Sequence, residues 1–178
     1  MSRGWLAVVL VAACSTTPDT GQAAVSGTVG GSPFTVGDAI VVVDGAHAKL
    51  VISSAADTCA DVRDGIARQN LRVLLLEVTD AADPALIAGS YNTFTSDTPP
   101  TLSALFESHL NDAQCAVTYV PPPDGIGDGI VTVSAVAGGT VDGTFDMILD
   151  GGEHITGTFH PAACPALAKP PTPTSCLP

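Results

Sequence analysis

The sequence predicts an all-β domain: an antiparallel sandwich or barrel of about nine or ten short strands, with at most one short helix. Three observations lead there. Between Gly129 and Cys164, apolar residues and glycines fall on every second position: Val141, Gly143, Phe145, Met147 and Leu149, then Ile155, Gly157 and Phe159. Thr140, Asp142, Thr144, Asp146, His154, Thr156, Thr158 and His160 occupy the positions between. A period of two belongs to strands with one buried face and one wet face. Second, many short alternating runs are punctuated by 18 Gly and 14 Pro, as in all-β chains. Third, 178 residues suffice for one domain with its own core.

The chain opens with Met1-Ser2-Arg3, a short positive segment, and Gly4 to Ala13, an apolar stretch too short to span a bilayer as a helix. Val11-Ala12-Ala13-Cys14 resembles a bacterial lipobox. That resemblance implies that residues 1–13 are a lipoprotein signal peptide, cut off before Cys14. It also implies that Cys14 carries diacylglycerol on its sulfur and a further acyl chain, palmitate or similar, on its new amine. Two or more chains anchor a protein stably, each buried methylene contributing about 0.8 kcal/mol. An Asp after the Cys retains many such lipoproteins in the inner membrane, so Ser15 points to the cell envelope at the outer membrane. An ordinary secretory signal with an incidental Cys is the other reading.

Residues 14–22 are the acylated Cys and a small, polar tether. The β domain is expected over 23–164. Val25, Gly27 and Val29 alternate with polar residues, Gly30-Gly31 turns the chain, and Phe34 and Val36 alternate again. Ala39–Val43 is a continuous apolar strand, Asp44-Gly45 a turn, and Ala48–Ser53 the next strand. Thr58-x-x-Asp61 is a capping pattern for a short helix carrying Val62 and Ile66, weakened by Gly65. Leu71–Val78, Tyr91–Thr95, Ser103–Leu110 and Ala113–Val120 are expected strands, although Ser103–Leu110 also fits a helix. Pro121–Gly129 reads as a long exposed loop, and residues 165–178 as an extended Pro-rich tail.

Two turns set the register of the central hairpins. A two-residue loop at Gly138-Gly139 would bring Thr132 and Ser134 to the face of Val141 and Phe145. A three-residue loop including Thr140 brings Val131, Val133 and Ala135 there instead, and burial favours it. At Gly151-Gly152-Glu153 the same logic pairs Leu149 with Ile155, Met147 with Gly157, and Phe145 with Phe159. The repeated [Val/Ile]-x-Gly-Thr-Phe, at 141–145 and 155–159, puts a glycine two residues before each ring. A neighbouring aromatic can cover such a glycine.

The lipobox, the Gly27-x-Val29-Gly30-Gly31-x-x-Phe34 start and the Val-x-Gly-Thr-Phe hairpin ending in Cys164 together resemble lipoproteins encoded in myxobacterial genomes. The resemblance spans most of the mature chain. It implies a fold and a compartment, and no activity.

With Cys14 lipidated, Cys59, Cys115, Cys164 and Cys176 remain. Four cysteines in an oxidising compartment read as two disulfides with three possible pairings. Cys59–Cys115 with Cys164–Cys176 is the favoured one, its second bridge pinning the tail to the last strand. No C-x-x-C occurs, which argues against a zinc site.

Six Lys+Arg against 18 Asp+Glu give a net charge of −12, a field that repels phosphate backbones and excludes nucleic acid as a natural partner. Asp124-Gly-Ile-Gly-Asp128-Gly resembles the start of a calcium loop but lacks its third acidic position and distal Glu. His154 and His160 share a wet face about 20 Å apart, too far to share a metal. His160 is expected near Thr144, with Asp142 or Asp146 diagonal to it. His47, His109, Glu77 and Glu107 are isolated, and no G-x-S-x-G or H-E-x-x-H is present. No catalytic residue, metal ligand or cofactor is assigned.

Two functions follow. One is a membrane-anchored envelope lipoprotein with a non-catalytic β domain, binding a small ligand or an envelope protein and held to membrane lipid through Cys14. The other is a secreted hydrolase-type enzyme using scattered His and Asp residues. A filled interior without a deep polar pocket marks the first. A cleft joining His109 or His47 to a carboxylate and a hydroxyl marks the second.

Overall fold

The strongly alternating segment forms three long antiparallel strands, β10 (Gly127–Ala137), β11 (Thr140–Leu149) and β12 (His154–His160). The computed structural model describes residues 21–93, 101–119, 127–149 and 151–178. The signal peptide, Cys14, the tether up to residue 20, Asp124 and the end of the 91–95 strand lie outside the described residues.

Before that segment come β1 (Gln22–Val29), β2 (Ser32–Pro33), β3 (Asp38–Asp44), β4 (His47–Ser53), α1 (Thr58–Asp64) and β5 (Ile66–Arg68). β6 (Arg72–Asp80), β7 (Gly89–Thr93), β8 (Leu102–Asn111) and β9 (Val117–Tyr119) follow. β13 (Ala162–Ala163), a 3-10 turn at Pro165–Ala168 and β14 (Ser175–Leu177) close the chain. The fold is all-β with one short helix, as expected. Its 14 strands among the described residues exceed nine or ten because β2, β5, β9, β13 and β14 are too short for periodicity to register.

Twelve strands form one mixed sheet in the order β13-β3-β4-β6-β8-β7-β10-β11-β12-β1-β2, with β9 added beside β8. β7 runs parallel to β8 and β13 parallel to β3, so the sheet is not purely antiparallel. It curls around one core that includes Ile52, Leu74, Leu76, Tyr91, Phe106, Phe145 and Met147. The two ends of the sheet come together where β12 runs on into β13. A Cβ added to Gly21 there would lie 1.7 Å from the Ala39 carbonyl oxygen, so only glycine fits the contact.

The faces of the hairpins are those the alternation predicts, but both loops differ. Gly138 and Gly139, at φ 60° and 81°, make a two-residue turn that pairs Ala137 with Thr140. Ser134 is then an extra residue between Val133 and Ala135, a β-bulge. The bulge returns Val133 and Val131 to the buried face opposite Gly143 and Phe145 and leaves Ala135 on the wet side opposite Asp142. The second hairpin is shifted by two residues from expectation: Met147 pairs with Ile155, Phe145 with Gly157, and Phe159 with Gly143. Each ring therefore lies over the other strand's glycine rather than over the other ring. A Cβ on Gly157 would meet the Phe145 ring at 2.4 Å, and one on Gly143 would meet Phe159 at 2.5 Å. Phe145 packs instead on Phe106, with ring centroids 5.8 Å apart.

A second, smaller core covers the outer face of β3 and β4. Ile40, Cys164 and Leu167 are buried there against Val42, Val51, Cys59 and Val62. The capping pattern at Thr58 works differently from expectation. Thr58 donates its backbone N–H to Asp38 Oδ2 at 2.9 Å, so a buried carboxylate from β3 serves the helix start. Asp61 is buried and takes a two-point ion pair from Arg68 on β5, at 2.5 and 3.0 Å. Arg68 is held above its usual range by its hydrogen bond and charge contact with Asp61.

Two disulfides form, but not in the favoured pairing: Cys59 joins Cys164, and Cys115 joins Cys176. Preference for short loops fails because β13 returns the chain to β3, which places Cys164 against the α1 region. The tail is not merely extended. Leu167 is buried, and β14 pairs in parallel with β5, Cys176 lying opposite Ala67. The expected strand at 113–120 begins only at Val117, because Asp112 accepts the N–H groups of Gln114 and Ala116 and folds the preceding residues into a turn; residue 120 lies outside the described residues. After β2 no strand continues through Val36.

Candidate binding site

Three surface regions gather the chain's polar chemistry. The first is the wet face of β7, β10, β11, β12 and β1. The registers align Ser90, Thr132, Thr144, Thr158 and Ala24 in one row across these strands. The shifted hairpin register places His160 against Asp142, to which its Nδ1 hydrogen-bonds, and His154 Nε2 2.6 Å from Asp146. Thr144 faces Thr158 rather than His160. The two His–Asp pairs are exposed and stand at separate points along the face. Ile130 and Ile148 are exposed on it.

The second region is a groove of about 310 Å³ beside the 3-10 turn. His47 Nδ1 hydrogen-bonds Thr79 Oγ1 at 2.9 Å, and Asp44 and Glu77 stand nearby. This arrangement has the members of a base, hydroxyl and carboxylate set. Glu77, however, is engaged by Lys49 at 3.1 Å, and His47 is exposed to water.

The third region is a cavity of about 510 Å³ between β8, β5, the start of β9 and the returning tail. His109 projects into it from the outer face of β8, opposite Val73 of β6 and Tyr119 of β9. The Tyr119 ring meets the imidazole edge-on, with centroids 6.3 Å apart. Burial pushes the His109 pKa below its ordinary value, so the ring is neutral at neutral pH. Ile66, Leu71 and Val117 supply apolar wall, and Asn111 and Gln114 supply amides. Asn111 is buried and donates to the Arg68 carbonyl at 2.9 Å. The far wall is the tail at 173–176, held by the Cys115–Cys176 bridge and by Thr174 N–H donating to the Gly65 carbonyl at 2.8 Å. Among the described residues no carboxylate or cationic side chain lines this cavity.

Of the residues the sequence singles out, the structure brings Cys115, Cys176 and His109 together here. Cys59 and Cys164 lie in the second core, and Cys14 is outside the described residues. No group of three or more His, Cys, Asp or Glu among the described residues is arranged to hold a metal ion. Asp128, from the calcium-like loop, is exposed on β10 opposite Ile148.

No family model matches the chain, and no curated protein or solved structure matches it.

Reading the sequence alone misses the cavity because its walls come from segments far apart in the chain. Leu71, His109, Val117 and Cys176 carry no common motif, and only the return of the tail joins them. An isolated histidine flanked by strand residues is the one signal that marks the place.

Proposed function

We propose that the chain is a membrane-anchored envelope lipoprotein whose β domain binds a small ligand or another envelope protein without catalysing a reaction. The lipobox at Cys14 supports the anchor, and Ser15 supports an outer-membrane site. One observation carries the binding reading: His109, half-buried, lines a hollow with amides and hydroxyls and, among the described residues, no carboxylate in its lining. Such a site can hold a molecule through hydrogen bonds and apolar contact, the usual composition of binding pockets. The curl of the sheet, closed at Gly21 against Ala39, is read as a barrel rather than a sandwich.

The alternative, a secreted hydrolase-type enzyme, draws on the His47–Thr79 hydrogen bond. Against it stand the exposure of His47, which leaves the pair solvated, and the commitment of Glu77 to Lys49.

Cell fractionation with labelled palmitate tests the anchored reading. The wild-type chain is expected in the membrane fraction carrying label, and Cys14→Ser in the soluble fraction without it. Membrane association and labelling that survive Cys14→Ser would refute acylation at this residue.

A further inference from the structure

Three of the six large exposed apolar side chains among the described residues lie at one corner of the molecule. They are Val117 at 56 %, Tyr119 at 41 % and Leu177 at 40 % exposure. Val117 lines the His109 cavity, Tyr119 packs on the His109 ring, and Leu177 adjoins Cys176 in the far wall. A chain with 18 acidic residues leaves the described lining of this cavity free of them. By contrast, Asp44, Lys49 and Glu77 line the groove at His47.

We propose that the His109 cavity binds an uncharged, largely apolar small molecule, with a single hydroxyl or carbonyl hydrogen-bonded to the imidazole of His109 and the ring or chain held between Leu71, Ile66 and Val117. The proposal deepens the binding reading and rests on it. Size, charge and chemistry agree. About 510 Å³ falls within the range of small-molecule sites. A charged ligand would lose water without meeting an opposite charge on the described walls. A neutral imidazole offers one donor and one acceptor nitrogen, so it can serve either a hydroxyl or a carbonyl. The tail forms a wall because Cys115–Cys176 and the β14–β5 pairing hold it in place. The ligand therefore sits against a tail wall fixed by a disulfide and by strand pairing.

The test uses the soluble Cys14→Ser chain and 1-naphthol as the probe, followed through the histidine ring signals in NMR, with His109→Gln identifying the His109 signal. Saturable movement of the His109 signal is expected, with the His154 and His160 signals unmoved. Val117→Asp, an exposed position on a short edge strand, should weaken binding at least about tenfold, and the anion 1-naphthalenesulfonate should bind at least about tenfold more weakly than 1-naphthol. Ile148→Asp on the remote sheet face should leave affinity unchanged. No saturable shift of His109 at millimolar 1-naphthol overturns the proposal. Tighter binding of the anion overturns the charge argument. Binding lost in Ile148→Asp but kept in Val117→Asp overturns the cavity assignment while leaving a binding domain. Membrane fractionation reports the anchor independently of all these outcomes.

Discussion

Glu153 joins two turns distant in the chain. Its carboxylate accepts the N–H groups of Gly30 and Gly31, at 2.9 and 2.7 Å, and the Thr28 hydroxyl at 2.9 Å. Burial, the largest single effect, pushes its pKa up. The donors at Gly31, Thr28 and Gly30 together outweigh burial and bring it below the ordinary 4.5. Lowering in the folded state means that Glu153 contributes stability above the ordinary value, and that the contribution is lost as pH falls through the folded value. Glu153→Gln should cost about 1 kcal/mol at pH 7 by chemical denaturation, and the gap to wild type should narrow as pH falls below the carboxylate range. A gap that stays constant across that range would contradict the charged role. Sequence reading places Glu153 only in a turn, because its partners lie more than 120 residues away and no periodicity links them. The same holds for Asp38, which serves the helix start 20 residues on.

At the scale of the hairpin, alternation identifies the faces and is blind to the register. Side chains repeat every second residue, so a slip of two leaves every residue on its own face. What selects the observed pairing is steric: Phe145 over Gly157 and Phe159 over Gly143 fill space that a Cβ would need. The sequence favours a three-residue loop over the two-residue turn at Gly138-Gly139 because the bulge at Ser134, which reconciles that turn with burial, has no mark in the residue pattern. Phe145→Ala should cost about 3–5 kcal/mol, Gly157→Ala about 1–3 kcal/mol from overpacking, and Thr158→Ala less than about 0.5 kcal/mol. Gly157→Ala combined with Phe145→Leu should lose less than the two changes summed, since the smaller side chain relieves the ring contact, while the Ala24 carbonyl oxygen, 2.6 Å from the added Cβ, still opposes the methyl. Urea denaturation of the set checks this. Strict additivity, or a Thr158 cost equal to that of Phe145, would contradict the ring-over-glycine register.

At the scale of the molecule, the all-β class was legible in the sequence because it depends only on alternation and turns. The mixed sheet, the second core and the His109 cavity were not: the parallel pairing of β7 with β8 leaves no mark in the alternation, and the β13–β3 pairing, the second core and the cavity depend on where the chain returns after His160. β13 brings Cys164 back to β3 and α1, and the tail brings Cys176 to Cys115. The bridges span 105 and 61 residues, so each ties an early or middle element to the end of the chain, where local closure would have left the tail an appendage. The central claim is that this return builds the fold and its cavity, and disulfide mapping tests it most directly. The Cys14→Ser chain is digested with pepsin under non-reducing conditions. Low pH suppresses thiol exchange, and cleavage beside apolar residues such as Leu167 separates Cys164 from Cys176. Peptides joining Cys59 to Cys164 and Cys115 to Cys176 are expected. Peptides joining Cys59 to Cys115, with Cys164 and Cys176 in a second linked pair, would contradict the return of the tail and the cavity it closes.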